Sequence, residues 1–515
     1  MIDSPGFDVS ALWSQVVALY CATLLPLAAG LPPIIAVIES VYVMTGREIW
    51  KQTARFWGKL FGVVLLMWAV GSIVLTILYV VDPSRFTKHI HGMPGPALII
   101  FFVPFVLACG LLLWTWFRDW WNPHRVRHLL VTWLWVPLFG FAVLKVSIGY
   151  GLLDNPSGVE LDPGSLQVWI YDLPAVLMNP AAQSRFVHLM GACYLTAATL
   201  VLSISAWYLL RDRNVRIARR SLTVAASFGF AAALSLAVLG DRAGYAASPG
   251  QQMRIAAIAA EWHTRATPAP LTVFGFPDAG RRTTHAAVDL PWVLGWGATH
   301  SWRKSVAGLD ELEAVNASRI RDGIAAFTTL DTPWADPAGV SGPVFDAEDN
   351  PNFGYALLLL RSTPHPARAS GDQIAAAAGS TIPNVPLLFW TFRLMALLGV
   401  YSIALFGCAF WLASKRRLAK RAFLRVAAWS LPLPWIAGAL GWIVSEAGRG
   451  PWLMDGLLPI TGMHGSRSGV IIGTIACVSV AVLFMVGAVL LVRLVRLGPE
   501  GLKFWPVDSG QAGKY

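Results

Sequence analysis

Residues 469–495 read GVIIGTIACVSVAVLFMVGAVLLVRLV, with no charged side chain before Arg493. A helix needs about 20 mostly apolar residues to cross the hydrocarbon core of a bilayer. This stretch satisfies that requirement, and its basic end suits a polar boundary. The same test applied along the chain predicts nine spans. They fall near 11–44, 56–81, 96–117, 128–150, 186–210, 221–240, 386–414, 423–446 and 469–495. Prolines interrupt several of them, among them Pro26, Pro32, Pro33, Pro104, Pro137, Pro432 and Pro434. Neighbouring helices can re-satisfy the carbonyls that prolines free.

Composition agrees. Of 515 residues, 56% are hydrophobic and only 13% charged, with a mean hydropathy of +0.56. A soluble chain carries about 25% charged residues. The 24 Trp residues suit membrane interfaces, where amphipathic rings settle. A net charge of +11 raises nucleic acid as a partner, but the distribution of that charge excludes it. Loop 1–2 holds Arg47, Lys51 and Arg55, and loop 3–4 holds Arg118, Arg125 and Arg127. Loop 5–6 holds Arg211, Arg213, Arg216, Arg219 and Arg220, and loop 7–8 holds Lys415, Arg416, Arg417, Lys420 and Arg421. Arg493 and Arg496 close the series. The alternate short loops are poor in Lys and Arg, and loop 4–5 carries Asp154, Glu160, Asp162 and Asp172. Basic loops stay in the cytoplasm. The expected topology therefore has the N-terminus outside and the C-terminus inside.

The expected fold is all-α, a polytopic membrane protein with one large extracytoplasmic loop. Residues 1–240 form helices one to six, 241–385 the loop, and 386–515 helices seven to nine with a short tail. The loop shows a helical run near 251–265 and Pro/Gly-rich stretches beyond it. Met1–Ser10 lacks a basic n-region, so no cleavable signal is expected. Cys21, Cys109, Cys193, Cys408 and Cys477 all lie in apolar stretches, which gives no disulfide framework and no CxxC zinc site.

Ionisable groups inside spans are functional candidates. Of ten His, nine sit in loops or at helix ends, where the plain reading is a solvated ring. His188 alone lies inside a span, within about 5 Å of its boundary at 1.5 Å per residue. Met395 lies about 14 Å into helix seven by the same rise. Arg393, Glu446 and Arg449 share that half of the bilayer. His and Met form an axial pair for a low-spin haem, and Arg can neutralise propionates. For Met395 alone, ordinary packing is the competing account.

Longer strings carry a family resemblance. They are GREIWKQTARFWGKLFG at 46–62, NPAAQSRFVH at 179–188, LGDRAGY at 239–245 and RIAAIAAEW at 254–262. TFRLM at 391–395, LPLPWIAGALGWIVSEAGRGPW at 431–452 and RLGPEGLKFW at 496–505 complete the set. Along nearly its whole length the chain resembles subunit I of cytochrome bd-type quinol oxidases. That resemblance implies a bacterial inner-membrane respiratory subunit that oxidises ubiquinol or menaquinol at its outer loop. Electrons would pass through haem b toward dioxygen. His188 and Met395 match the axial ligands of the low-spin haem b, and Arg393 the Arg beside it. Glu446 matches the iron ligand of a second, high-spin haem b, with Trp442 and Arg449 around it. Arg254 matches a basic residue of quinol oxidation, flanked by positions matching Asp241, Tyr245, Glu261 and Trp262. The implied partners are a homologous membrane subunit II, a small single-span subunit and the lipid bilayer.

The chain also departs from the family. Cys21 stands where the family has the axial His of haem d. Phe101 and Cys109 stand where helix three carries two Glu, Thr76 replaces a carboxylate in helix two, and Ala259 replaces a Glu of the quinol loop. Cys21 reads either as a thiolate ligand or as a small buried hydrophobe. Lys145, in helix four, reads as a snorkelling side chain or a counter-charge. These losses set an alternative beside the oxidase reading, a haem-b-only relative that hands quinol electrons to another acceptor. A haem-free transporter is a third class. It requires a repeat symmetry that the sequence does not display.

Overall fold

The computed structural model describes residues 9–81, 90–91, 95–119, 124–162, 166–247, 250–301, 303–330, 351–418, 420–460 and 467–499. In chain order the elements begin with α1 (Val9–Thr45), α2 (Glu48–Val81), β1 (Ile90–His91), α3 (Gly95–Asp119) and α4 (Arg125–Asp154). Next come β2 (Val159–Asp162), β3 (Gln167–Ile170), α5 (Leu173–Leu177), α6 (Pro180–Leu210) and α7 (Val215–Ala247). The large segment holds α8 (Gln252–Ala259), β4 (Leu271–Asp278), β5 (Thr283–Leu290), α9 (Val293–Thr299), α10 (Leu309–Leu330), α11 (Phe353–Ala356) and α12 (Gly371–Gly379). Then follow α13 (Val385–Ser414), α14 (Arg421–Trp429), α15 (Leu433–Arg449), β6 (Trp452–Met454), β7 (Leu458–Pro459) and α16 (Arg467–Leu497).

Among the described residues, eight helical stretches are long and apolar enough to cross a bilayer, with α14 and α15 together making one of them. α3 stands where the third span is expected, and its described apolar stretch is Phe105–Arg118. α1 lies at the centre. Leu31, Ile34, Ile35 and Ile38 on it are fully buried, and it packs on α2, α4, α6 and α16. Gly30 allows the closest approach, because a Cβ there would strike the Cys193 carbonyl of α6. Cross-helix hydrogen bonds add register where lipid offers no hydrophobic drive. Trp57 Nε1 donates to Ser221 Oγ at 2.8 Å, Ser203 Oγ to the Ala427 carbonyl at 2.8 Å, and Tyr208 OH to the Val495 carbonyl at 2.6 Å.

Two differences from expectation have local causes. The span predicted over 423–446 is two helices, α14 and α15, divided at Ser430–Pro432. Pro432 and Pro434 lack the N–H groups a continuous helix needs, and the residue before a proline is pushed out of the helical region. The freed end is closed by side chains. Ser430 Oγ donates to the Val426 carbonyl at 2.7 Å and pairs with Tyr401 OH at 2.6 Å. The second difference lies in the large segment, where β4 and β5 form an antiparallel hairpin. Register shifts around Phe274 break the alternation by which a strand is recognised in sequence. The helical run expected over 251–265 is the shorter α8.

His128 also departs from expectation. It is buried, not solvated. Its Nδ1 contacts Glu39, whose other oxygen accepts from Thr132 Oγ1 at 2.6 Å. Trp116 Nε1 donates to the same hydroxyl at 2.7 Å. α4 begins at Arg125, so His128 already faces α1.

Candidate functional site

The buried charges gather at the C-terminal end of α4, beneath the large segment. Asp154 is the last residue of α4 and is buried. Three cations converge on its carboxylate from three other helices. Arg185 of α6 contacts it directly, Arg449 of α15 lies 3.4 Å away, and Arg254 of α8 lies 3.7 Å away. Arg449 also donates to Glu446 at 2.7 Å, and Arg185 donates to Ser445 Oγ at 3.1 Å. Cations at a helix C-terminus complement its dipole. The exposed carbonyls of that end are taken up as well. Gln251 Nε2 donates to the Asp154 carbonyl at 2.9 Å, and Asn179 Nδ2 donates to that of Asn155 at 2.7 Å. Buried charges persist only when paired and hydrogen-bonded, and this network meets that condition except at specific atoms.

Those atoms bear on a haem. His188 Nδ1, Glu446 Oε1 and Arg449 Nε are buried and have no hydrogen-bond partner among the described residues. Buried polar atoms are otherwise almost always satisfied. Finding an imidazole, a carboxylate and a guanidinium unsatisfied on two neighbouring helices fits a ligand with a metal and acidic arms. α6 starts at Pro180, capped by Asn179, so His188 lies about 12 Å down its helix at 1.5 Å per residue. α13 starts at Val385, capped by Asn384, so Met395 lies about 15 Å down. α6 and α13 each pack on α7 and α15. The His188 ring lies against α7 at Gly240. The Met395 thioether lies on α15, and a Cβ on Gly441 would sit 3.0 Å from its sulfur. The helices that carry the two candidate ligands thus pack on the same two neighbours, with His188 against one and Met395 against the other, and the residues present fit a haem.

The other candidate residues fall as follows. Arg393 donates Nε to the Val273 carbonyl at 2.9 Å and Nη1 to those of Ile258 at 2.9 Å and Phe389 at 2.7 Å. Its Nη2 reaches Thr272. It therefore ties α8 and β4 of the segment to α13. Glu261 is buried and receives Arg265 Nε at 2.6 Å, while Arg265 also holds Asp289 of β5 at 2.9 Å. Trp262 is buried, and its Nε1 donates to Thr284 Oγ1 at 3.0 Å. Trp442 is exposed on the surface of this chain. Cys21 packs in the α1–α2 seam, with the Ser72 hydroxyl at 4.0 Å and Gly71 beside it. Cys109 and Ala259 are buried, and Thr76 Oγ1 donates to the Ser72 carbonyl at 2.8 Å. The side chains of Asp241, Tyr245 and Phe101 lie outside the described residues.

Sequence reading missed three members of the network, Asp154, Arg185 and Gln251, and the nearby acid Asp455. Arg185 had a signal, since it precedes His188 by three residues in the quoted motif and so shares its helix face. Asp154 had read as one acid among several in a non-basic loop. Outside the spans, burial pulls the Arg254 guanidinium down from its ordinary range, while Asp154 and Asp455 hold it up. Burial pushes the Asp455 carboxyl up to about 7 against the pull of Arg254.

A family model described as cytochrome bd terminal oxidase subunit I matches residues 10–499. Cytochrome bd-II ubiquinol oxidase subunit 1 of Escherichia coli (strain K12) is 31% identical over 514 residues, which cover 96% of this chain and 97% of that protein. Cytochrome bd ubiquinol oxidase subunit 1 of Bacillus subtilis (strain 168) is 24% identical, over 91% of this chain and 88% of that protein. The bd oxidase structure from Geobacillus thermodenitrificans shares the fold, with a TM-score of 0.73 and 20% identity over 96% of this chain and 100% of that one. The chain belongs to the cytochrome bd terminal oxidase subunit I family.

Proposed function

We propose that this chain is the haem-bearing subunit of a bacterial inner-membrane quinol oxidase, which takes quinol at the large segment and sends its electrons toward dioxygen. The observation that carries this reading is the buried network around Asp154. It joins Arg254 of the segment to Arg185, on the helix of His188, and to Arg449, on the helix of Glu446. The basic loops of the opposite face favour an outer position for the segment, from which protons of quinol would leave.

His188 and Met395 would hold a low-spin haem b, and Glu446 a second haem, with Arg449 beside it. A bound haem supplies one-electron redox chemistry. The chain's own residues supply the rest. Arg254 presents a buried cation to a quinol oxygen. Asp154 balances Arg185, Arg254 and Arg449, which keeps three guanidinium groups together in a low-dielectric site. Arg393 fixes the segment against α13, so that quinol and the Met395 helix keep one geometry. The family description as a terminal oxidase favours dioxygen over another acceptor, although Cys21, Cys109 and Thr76 stand where acids or an axial His are expected. The expected partners are a homologous subunit II and a small single-span subunit, against the broad apolar faces of α13, α15 and α16.

The test is oxygen consumption by the purified complex on ubiquinol and on menaquinol, together with a reduced-minus-oxidised spectrum. Turnover with a low-spin haem b band supports the reading. Haem reduction by quinol without oxygen uptake moves the assignment to the haem-b-only alternative. A preparation without porphyrin removes both.

A further inference from the structure

Among the acids beneath the segment, Asp154 is bound by three Arg, and Glu446 by Arg449. Asp455 is different. It sits in the turn between β6 and β7, where its N–H donates to the Leu153 carbonyl of α4 at 2.9 Å. Its carboxylate makes no hydrogen bond or ion pair among the described residues. Charged and titratable groups on five surrounding elements act on it electrostatically. They are Arg254 from α8, Asp154 from α4, Arg449 from α15, Arg319 from α10 and Tyr355 from α11. Tyr355 is itself held by Arg319 at 2.7 Å.

A quinol oxygen at Arg254 meets a cation that cannot take its proton. Asp154 is equally unsuited, because three guanidinium groups stabilise its charged form. Asp455 is the neighbouring carboxylate left without a partner, and burial gives it an affinity for protons near neutral pH, where a general base is effective. We propose that Asp455 accepts the proton from the quinol hydroxyl held at Arg254, a catalytic residue beyond the loop positions named above. Each O–H bond that breaks gives its proton to the Asp455 carboxylate. The accompanying electron leaves by the quinol oxidation already assigned, and Asp455 discharges the proton to water on the segment face. The inference rests on the placement of quinol beside Arg254.

The experiment uses the whole purified complex with Asp455→Asn, Asp455→Glu and Arg254→Gln. Quinol oxidation is followed from about pH 6 to 8, and redox-difference infrared spectra report carboxyl protonation. The wild-type rate should climb through about pH 7. Asp455→Asn should be at least tenfold slower above that pH, within the usual range for a lost general base. It should also lose the climb and the carboxyl band, while keeping the wild-type haem spectrum. Asp455→Glu should retain the climb. A pH limb that survives in Asp455→Asn overturns the proton role, as does a wild-type infrared difference with no carboxyl change. An Arg254→Gln variant with unchanged quinol KM overturns the underlying placement instead, so the two failures are distinguishable.

Discussion

Gly448 and Arg254 share one space, since a Cβ on Gly448 would lie 2.6 Å from Arg254 Cγ. The bare backbone at the end of α15 lets the segment's cation lie flat against it and reach Asp154. Gly448→Ala should therefore displace Arg254 while leaving the helices in place. Quinol KM should rise about tenfold, because small misplacements of a binding group are costly. The haem spectrum should not change, and steady-state kinetics with a spectrum of the same sample check both points.

His188→Ala should abolish the low-spin haem signal, and Met395→Leu should convert it to a high-spin form with the porphyrin still bound. Pyridine haemochrome content and the reduced spectrum separate the two outcomes. An unchanged spectrum in either variant rules out that ligand.

Asp154→Asn should destabilise the chain by about 3–5 kcal/mol, the cost of breaking a buried ion pair from one side. Arg185, Arg254 and Arg449 would then face one another without their shared anion. Thermal unfolding of the detergent-purified complex measures this, and a change under about 1 kcal/mol counts against the network as a structural element.

Asp455 also sets a pH dependence of stability. Its carboxyl is raised to about 7 in the folded chain, so the folded state holds a proton that the unfolded state has already lost. That stabilising contribution is whole below the ordinary carboxylate range and is lost as pH rises through about 7. Asp455→Asn, which never ionises, should be more stable than the wild type at pH 8 by roughly 1–2 kcal/mol, and by clearly less at pH 5, where only part of the wild type's contribution is lost. Melting curves at the two pH values check the sign.

Cys21→Ala should leave every haem band in place, because the thiol is packed between Gly71 and Ser72 in a helix seam. A lost or shifted band would instead make Cys21 an iron ligand.

Spans were legible because a bilayer imposes length and apolarity on each helix separately, as residues 469–495 illustrate. His188 and Met395 were legible as residues unusual at their depth and as parts of ordered motifs. The Asp154 network was not, because its members lie on four helices and meet only after folding. His128 misled for the same reason, since its partner Glu39 is 89 positions away. Arg393 was visible as a cation near the Met395 motif, but its carbonyl partners belong to a hairpin whose register shifts hide its alternation.

The interruption at Ser430–Pro432 has a mechanical consequence. A continuous rod over 421–449 would carry any tilt of its basic end straight to Glu446 and Arg449. With the backbone ladder cut and closed off by Ser430 and Tyr401, α15 takes its bearing from α13, along the face where Gly441 meets Met395. A tilt of the basic end is then expected to be taken up at the prolines, leaving the carboxylate end aimed by α13.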